Sequence, residues 1–143
     1  MKKATTRKST GVEAEASAPL RALFLSFSKL AAQAAEGRPL LRGLRVAHDP
    51  KADRFVVVHA ASRVEFVLTI AANATPARGD IGCRAIDSSG AAGAASLARF
   101  AFDASGVITE STVPELVNER IDLIAGASSV VSAVIWINMH AQV

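Results

Sequence analysis

The stretch LIAGASSVVSAVIWINM, Leu123 to Met139, runs for 17 residues without one charged side chain. Such a segment must be covered on nearly every side, either by lipid or by protein. As a helix it reaches about 26 Å, short of the roughly 30 Å hydrocarbon core of a bilayer. Gly126, Ser128, Ser129, Ser132 and Asn138 dilute its hydrophobicity, and Asp122 precedes it where a spanning segment tends to carry Lys or Arg. The expectation is therefore protein cover, with a membrane span disfavoured.

Two local forms are compatible with this run. A helix that starts at Ser111 or Thr112, has Pro114 and Glu115 in its first turn and continues to about His140 would turn Val117, Ile121, Ile124, Val131, Val134 and Ile135 towards a sheet. Alternatively Gly126 ends that helix, and the β-branched cluster VVSAVIWI becomes a central strand. Residue types in 127–139 suit either helix or strand, and the helix is the preferred expectation.

The other secure element lies near the N-terminus. In SAPLRALFLSFSKLAAQAAEG, Ser17 is a candidate N-cap, Pro19 suits a first turn and Gly37 a C-terminal cap. Leu20, Leu23, Phe24, Phe27, Leu30, Ala31 and Ala34 recur at spacings of three and four and make one apolar stripe.

Between the two helices the period changes to two. The segments LRVAH (44–48), RFVVVHA (54–60) and RVEFVLTI (63–70) are strands joined by short turns. In the last, Val64, Phe66, Leu68 and Ile70 face one way while Arg63, Glu65 and Thr69 face the other. A loop 71–80 containing Arg78-Gly79-Asp80 leads to IGCRAID (81–87). The small-residue run 88–96 suggests a flexible hairpin tip, LARFAFD (97–103) a further strand, DASG (103–106) a tight turn and VITE (107–110) the return. Connections this short leave no room for parallel crossovers. The chain is expected to be a single α+β domain over residues 17–143: an antiparallel β-meander of five or six strands, with an N-terminal helix and a long C-terminal helix packed on one face.

Residues 1–16 hold almost nothing large and apolar, which suggests a disordered basic tail. Lys2, Lys3, Arg7 and Lys8 supply the excess of positive charge; from Ser17 onward 12 Lys and Arg face 11 Asp and Glu. The tail, with Arg38, Arg42 and Arg45, is the candidate nucleic-acid contact, expected to be weak and salt-dependent. Aromatic residues make up 5% of the chain, with no Tyr, which argues against stacking surfaces for sugars or single-stranded bases.

The sequence carries no catalytic constellation: neither GxSxG, HExxH nor a phosphate-loop lysine is present. His48, Asp49, Asp53 and His59 are near one another in sequence, but turn chemistry explains the aspartates and no third ligand has metal-site spacing, so no metal and no cofactor is expected. Cys83, the lone cysteine, alternates with Gly82 and Arg84 and reads as a small core residue, which with the polar N-terminus suggests a reducing, cytoplasmic setting. The expectation is a non-catalytic interaction or assembly module, a homo-oligomer or a small subunit of a larger complex. Its contact would be made through Val130, Val131, Val134, Ile135 and Trp136, with itself or another protein. Alternatives are the nucleic-acid accessory role and a carrier of a small apolar ligand between sheet and helices.

Overall fold

The computed structural model describes the backbone of residues 2–60, 62–71, 77–87, 89 and 91–141, and within these the side chains of all but 2–16, 35–37, 40, 50, 92 and 94. Helix α1 (Lys2–Gly37) is followed by six strands: β1 (Arg45–Asp49), β2 (Arg54–His59), β3 (Ser62–Ala71), β4 (Arg78–Ile86), β5 (Ala92–Phe102) and β6 (Ile108–Ser111). Helix α2 (Ile124–Ala141) closes the chain. The strands form one sheet in sequence order, each antiparallel to the next, and both helices pack on the same face of it. The α+β meander read from the sequence is the observed architecture.

Alternation sets which side of each strand meets the helices. Phe55 and Val57 on β2, Val64, Phe66 and Leu68 on β3, Ile81 and Cys83 on β4, and Phe100 and Phe102 on β5 are buried. All six phenylalanines are in this layer. Phe27 of α1 sits edge-on to Phe55, Phe66 and Phe100 at 5.4, 5.8 and 6.2 Å, and Phe55 stacks on Phe66 at 4.8 Å. These offset and edge-to-face contacts add to the area each ring buries. From α1 the stripe Leu20, Phe24, Phe27, Ala31 and Ala34 is buried and Leu23 and Leu30 lie at its margin, the periodicity expected of it.

Several boundaries depart from the sequence reading, each for a local reason. The helical backbone begins well before Ser17, so Ser17 and Pro19 lie inside α1 rather than at its start. The stretch 1–16, read as a disordered basic tail, has helical backbone from Lys2 onward, and its side chains lie outside the described residues. Arg78-Gly79-Asp80 opens β4 instead of forming a loop, because Gly79 pairs with Ile70 on β3 and Phe102 on β5. A Cβ on Gly79 would stand 2.5 Å from the Phe102 ring, so bare backbone is required there. Of the run 88–96, residues 92–96 belong to β5, and Ser89 and Ala91 ahead of it are tied back to Asp87. The Asp87 carboxylate accepts hydrogen bonds from the Ser89 and Ala91 amides there, and the Asp87 amide donates to the Ala91 carbonyl.

The long C-terminal helix does not start at Thr112. Pro114–Leu116 makes one 3₁₀ turn, and Asn118 then adopts a left-handed φ of 77°, which ends helical propagation. Residues 118–121 run beside the β5–β6 turn. There the Ile108 amide donates to the Glu119 carbonyl, the Asn118 amide to the Ile108 carbonyl and the Ile121 amide to the Gly106 carbonyl. Gly106, at φ 88°, makes that turn with Asp103, whose carboxylate accepts from the Ser105 hydroxyl and amide and the Val107 amide. Only at Ile124 does α2 begin, with Gly126 seated directly on the Arg120 carbonyl, where a side chain would collide. The run 127–139 is therefore helix, and the strand alternative is excluded.

Candidate functional site

The structure separates the five residues read as an interaction surface. Val130, Val131, Val134 and Ile135 are fully buried against the chain's own sheet and α1, whereas Trp136 is 54% exposed. Much of the uncharged run is thus covered from within. By length and composition α2 could cross a bilayer, but 44% of its residues are buried inside the protein. Outside it lie Leu123 and Ile124 at the start of the run, exposed rather than turned to the sheet, the exposed Met139, and a second stripe on the same helix in which Ser129, Ala133, Trp136 and Ile137 face a groove.

This groove, of about 490 Å³, lies between α2 and the segment 113–119. Val113 and Leu116 form its other apolar wall, Glu115 and Glu119 supply two carboxylates, and Arg38 enters from the end of α1. The Arg38 guanidinium donates to the Ser132 and Ser129 hydroxyls at 3.3 and 3.4 Å, which fixes one cation beside Trp136. His140 stacks on the indole with ring centroids 3.8 Å apart, and its Nδ1 lies 2.8 Å from the Trp136 carbonyl, so the ring is held in place before anything binds. The groove can take up an apolar side chain and present charge of both signs at its rim. Sequence reasoning missed Val113, Leu116, Glu115 and Glu119 because it placed them in a continuous helix. Asn118, a residue tolerant of left-handed backbone, was the available signal for the break.

The remaining candidates are dispersed. Arg38 lies on the helical side of the sheet, Arg45 is exposed on β1, in register with Val58 on the opposite face, and Arg42 is exposed in the turn between. The side chains of Lys2, Lys3, Arg7 and Lys8 are outside the described residues. His48 packs against the rings of Phe55 and Phe24, and Asp53, at a left-handed φ of 48°, is bridged by Arg21 at 3.1 Å. Among the described residues no three His, Cys, Asp or Glu side chains gather closely enough to hold a metal ion. Cys83 is fully buried between Phe66 and Ala98, and burial pushes its thiol far up, so it is protonated at neutral pH and not a nucleophile.

Two acids at the base of α2 are perturbed the other way. For Asp103, partial burial works to raise the pKa, but the bonds from Ser105 and Val107 and the nearby Arg120 charge outweigh it and hold the carboxyl below its ordinary value. For Asp122 the leading cause is the hydrogen bond from Arg120, at 2.8 and 3.0 Å, and the result is again a lowered pKa.

Compared with known protein families, curated proteins and solved structures, the chain matches none of them.

Proposed function

We propose that the protein is a non-catalytic assembly module that pairs with a second copy of itself through the α2 groove. The observation that carries this reading is Trp136, the chain's sole tryptophan, held half out of the surface beside an apolar trough. Trp in a desolvated pocket is the residue type that most often dominates an interface. Charge complementarity selects a second copy as occupant. One Arg38 and the Glu115–Glu119 pair rim the same groove from different elements, so a twofold axis near Trp136 can set each copy's arginine against its partner's carboxylates.

The test is light scattering after size exclusion at about 5 and 100 μM, concentrations that bracket a Kd on the micromolar scale. A dimer is expected for the wild type, a monomer for Trp136→Glu, and a weakened dimer for Arg38→Glu that Glu115→Lys with Glu119→Lys restores. A wild-type monomer at the higher concentration rejects self-assembly, and a dimer insensitive to Trp136→Glu rejects this groove as the interface.

A further inference from the structure

The second face of the sheet carries no helix. Arg45, Arg54, Arg63, Arg78, Arg84 and Arg99 all lie on it by strand alternation and register, interleaved with Asp49, Glu65, Asp80 and Glu110. Of the carboxylates at its centre, Glu65 is hydrogen-bonded and Asp80 has a looser ion pair. Arg54 Nε donates to Glu65 at 2.9 Å, and Arg78 lies 3.8 Å from Asp80 and 3.5 Å from Glu110. Arg84 and Arg99 are different: among the described residues neither guanidinium has a hydrogen-bond or ion-pair partner.

These two arginines border one concavity of about 400 Å³, walled also by Glu65, Val67, Thr69 and Asp80, whose floor is Gly82. Gly82 is paired with Val67 on one side and Arg99 on the other, and Arg84 is its next neighbour on the same face. The glycine is unexplained by the fold. A Cβ there would meet nothing within 4 Å, and its backbone is not in the left-handed region, so neither packing nor conformation asks for it. Glycine in mid-strand weakens a sheet and commonly marks a place where something approaches the backbone closely. Gly79, three residues earlier on the same strand, shows the contrast, since the Phe102 ring fills the space its side chain would need.

Two further features pre-set the pit. The register slips between Cys83 and Arg84, where Cys83 pairs with Ala98 but Arg84 with Ser96, and such a bulge re-aims the side chains beside it. The Arg99 backbone is clamped from outside, its amide donating to the Thr112 hydroxyl and its carbonyl accepting from the Thr112 amide and hydroxyl. From these observations we infer that the pit binds a small oxyanion, a phosphate or carboxylate group gripped by Arg84 and Arg99 above the bare Gly82 backbone. Guanidinium groups match both anions with paired N–H donors, and the Arg54 bond to Glu65 draws that carboxylate away from Arg84, its cross-strand neighbour. The surface is distinct from the α2 groove, so each reading stands or falls alone.

The test is a ¹H–¹⁵N titration of the full chain with inorganic phosphate and, separately, with succinate, against sodium chloride at matched ionic strength. The expected result is saturable movement of the Gly82, Arg84 and Arg99 signals, with a Kd on the order of 1 mM. Phosphate alone saturating assigns a phosphate-bearing ligand, succinate alone a carboxylate, and both an oxyanion site that does not distinguish them. Arg84→Gln and Arg99→Gln should each weaken binding about tenfold, the loss of one charge-assisted donor pair. Gly82→Val should abolish it while melting no earlier than wild type, because the pit has room for the side chain. If that variant fails to fold, the two glutamine variants decide. Saturation by neither probe, movement equally large at Arg42 and Arg63, or wild-type binding in the arginine variants overturns the inference.

Discussion

The two faces of the sheet solve opposite problems with the same strands. On the helical face every phenylalanine of the chain is spent, ring against ring, and water is excluded. On the other face the inter-strand positions hold arginines, acids and half-buried valines such as Val56 and Val67, and no aromatic ring stands there among the described residues. Stability therefore resides in one layer while specificity of charge resides in the other. The difference is carried by single steps along a strand, since a residue and its neighbour point to opposite faces.

That contrast can be attacked one pair at a time. Phe66 and Val67 are adjacent on β3, one fully buried and touched by Phe27 and Phe55, the other on the open face. Phe66→Ala should cost about 3–5 kcal/mol and Val67→Ala well under about 1.5 kcal/mol. Urea melts with a shared m-value would measure both, and comparable losses would erase the distinction between the faces. The glycines give the next largest separation. Gly79→Ala forces the Phe102 ring to move and should destabilise by about 1–3 kcal/mol, whereas Gly82→Ala should be neutral or stabilising by up to about 1 kcal/mol. Thermal melts with opposite ordering would show that Gly82, not Gly79, is the packed position.

The smallest effect concerns the seam where the helical layer rejoins the sheet. Asp103 and Asp122 have folded pKa values below the ordinary 3.8, so the unfolded chain binds protons more readily than the folded one at acid pH. Their stabilisation is full above the unfolded value and disappears as pH falls through the lower folded values. Stability measured by urea between pH 6 and pH 2.5 should decline across the acid end, and Asp103→Asn with Asp122→Asn should flatten that decline. An unchanged slope in the double variant would place the acid sensitivity elsewhere.

Legibility from sequence followed the range of the physics involved. Strand β3 and its faces are plain because half-burial imposes period two within eight residues, and the Asp103–Gly106 turn because the Asp103 carboxylate bonds that shape it are local. The start of β4 was misread because Gly79 answers to Phe102, 23 residues away in sequence. The small-residue run of β5 looked like a loop by composition, while its strand character comes from pairing with β4. Trp136 stood out as a lone aromatic in an uncharged run, but dividing α2 into buried and open stripes needed the position of the break at Asn118. Nothing in the order of residues brings Gly82 beside Arg99, because that neighbourhood is created by register between β4 and β5.

Because the strands follow one another in space as they do along the chain, the packing of α1 on α2 is the main junction between the first and last elements of the described polypeptide. The ladder of hydrogen bonds is thus a run of nearest-neighbour links, and the pair of helices acts as the clasp that closes it. Tension drawn through the two helices falls on that clasp before it reaches the ladder, and the groove beside Trp136 is built onto the clasp itself.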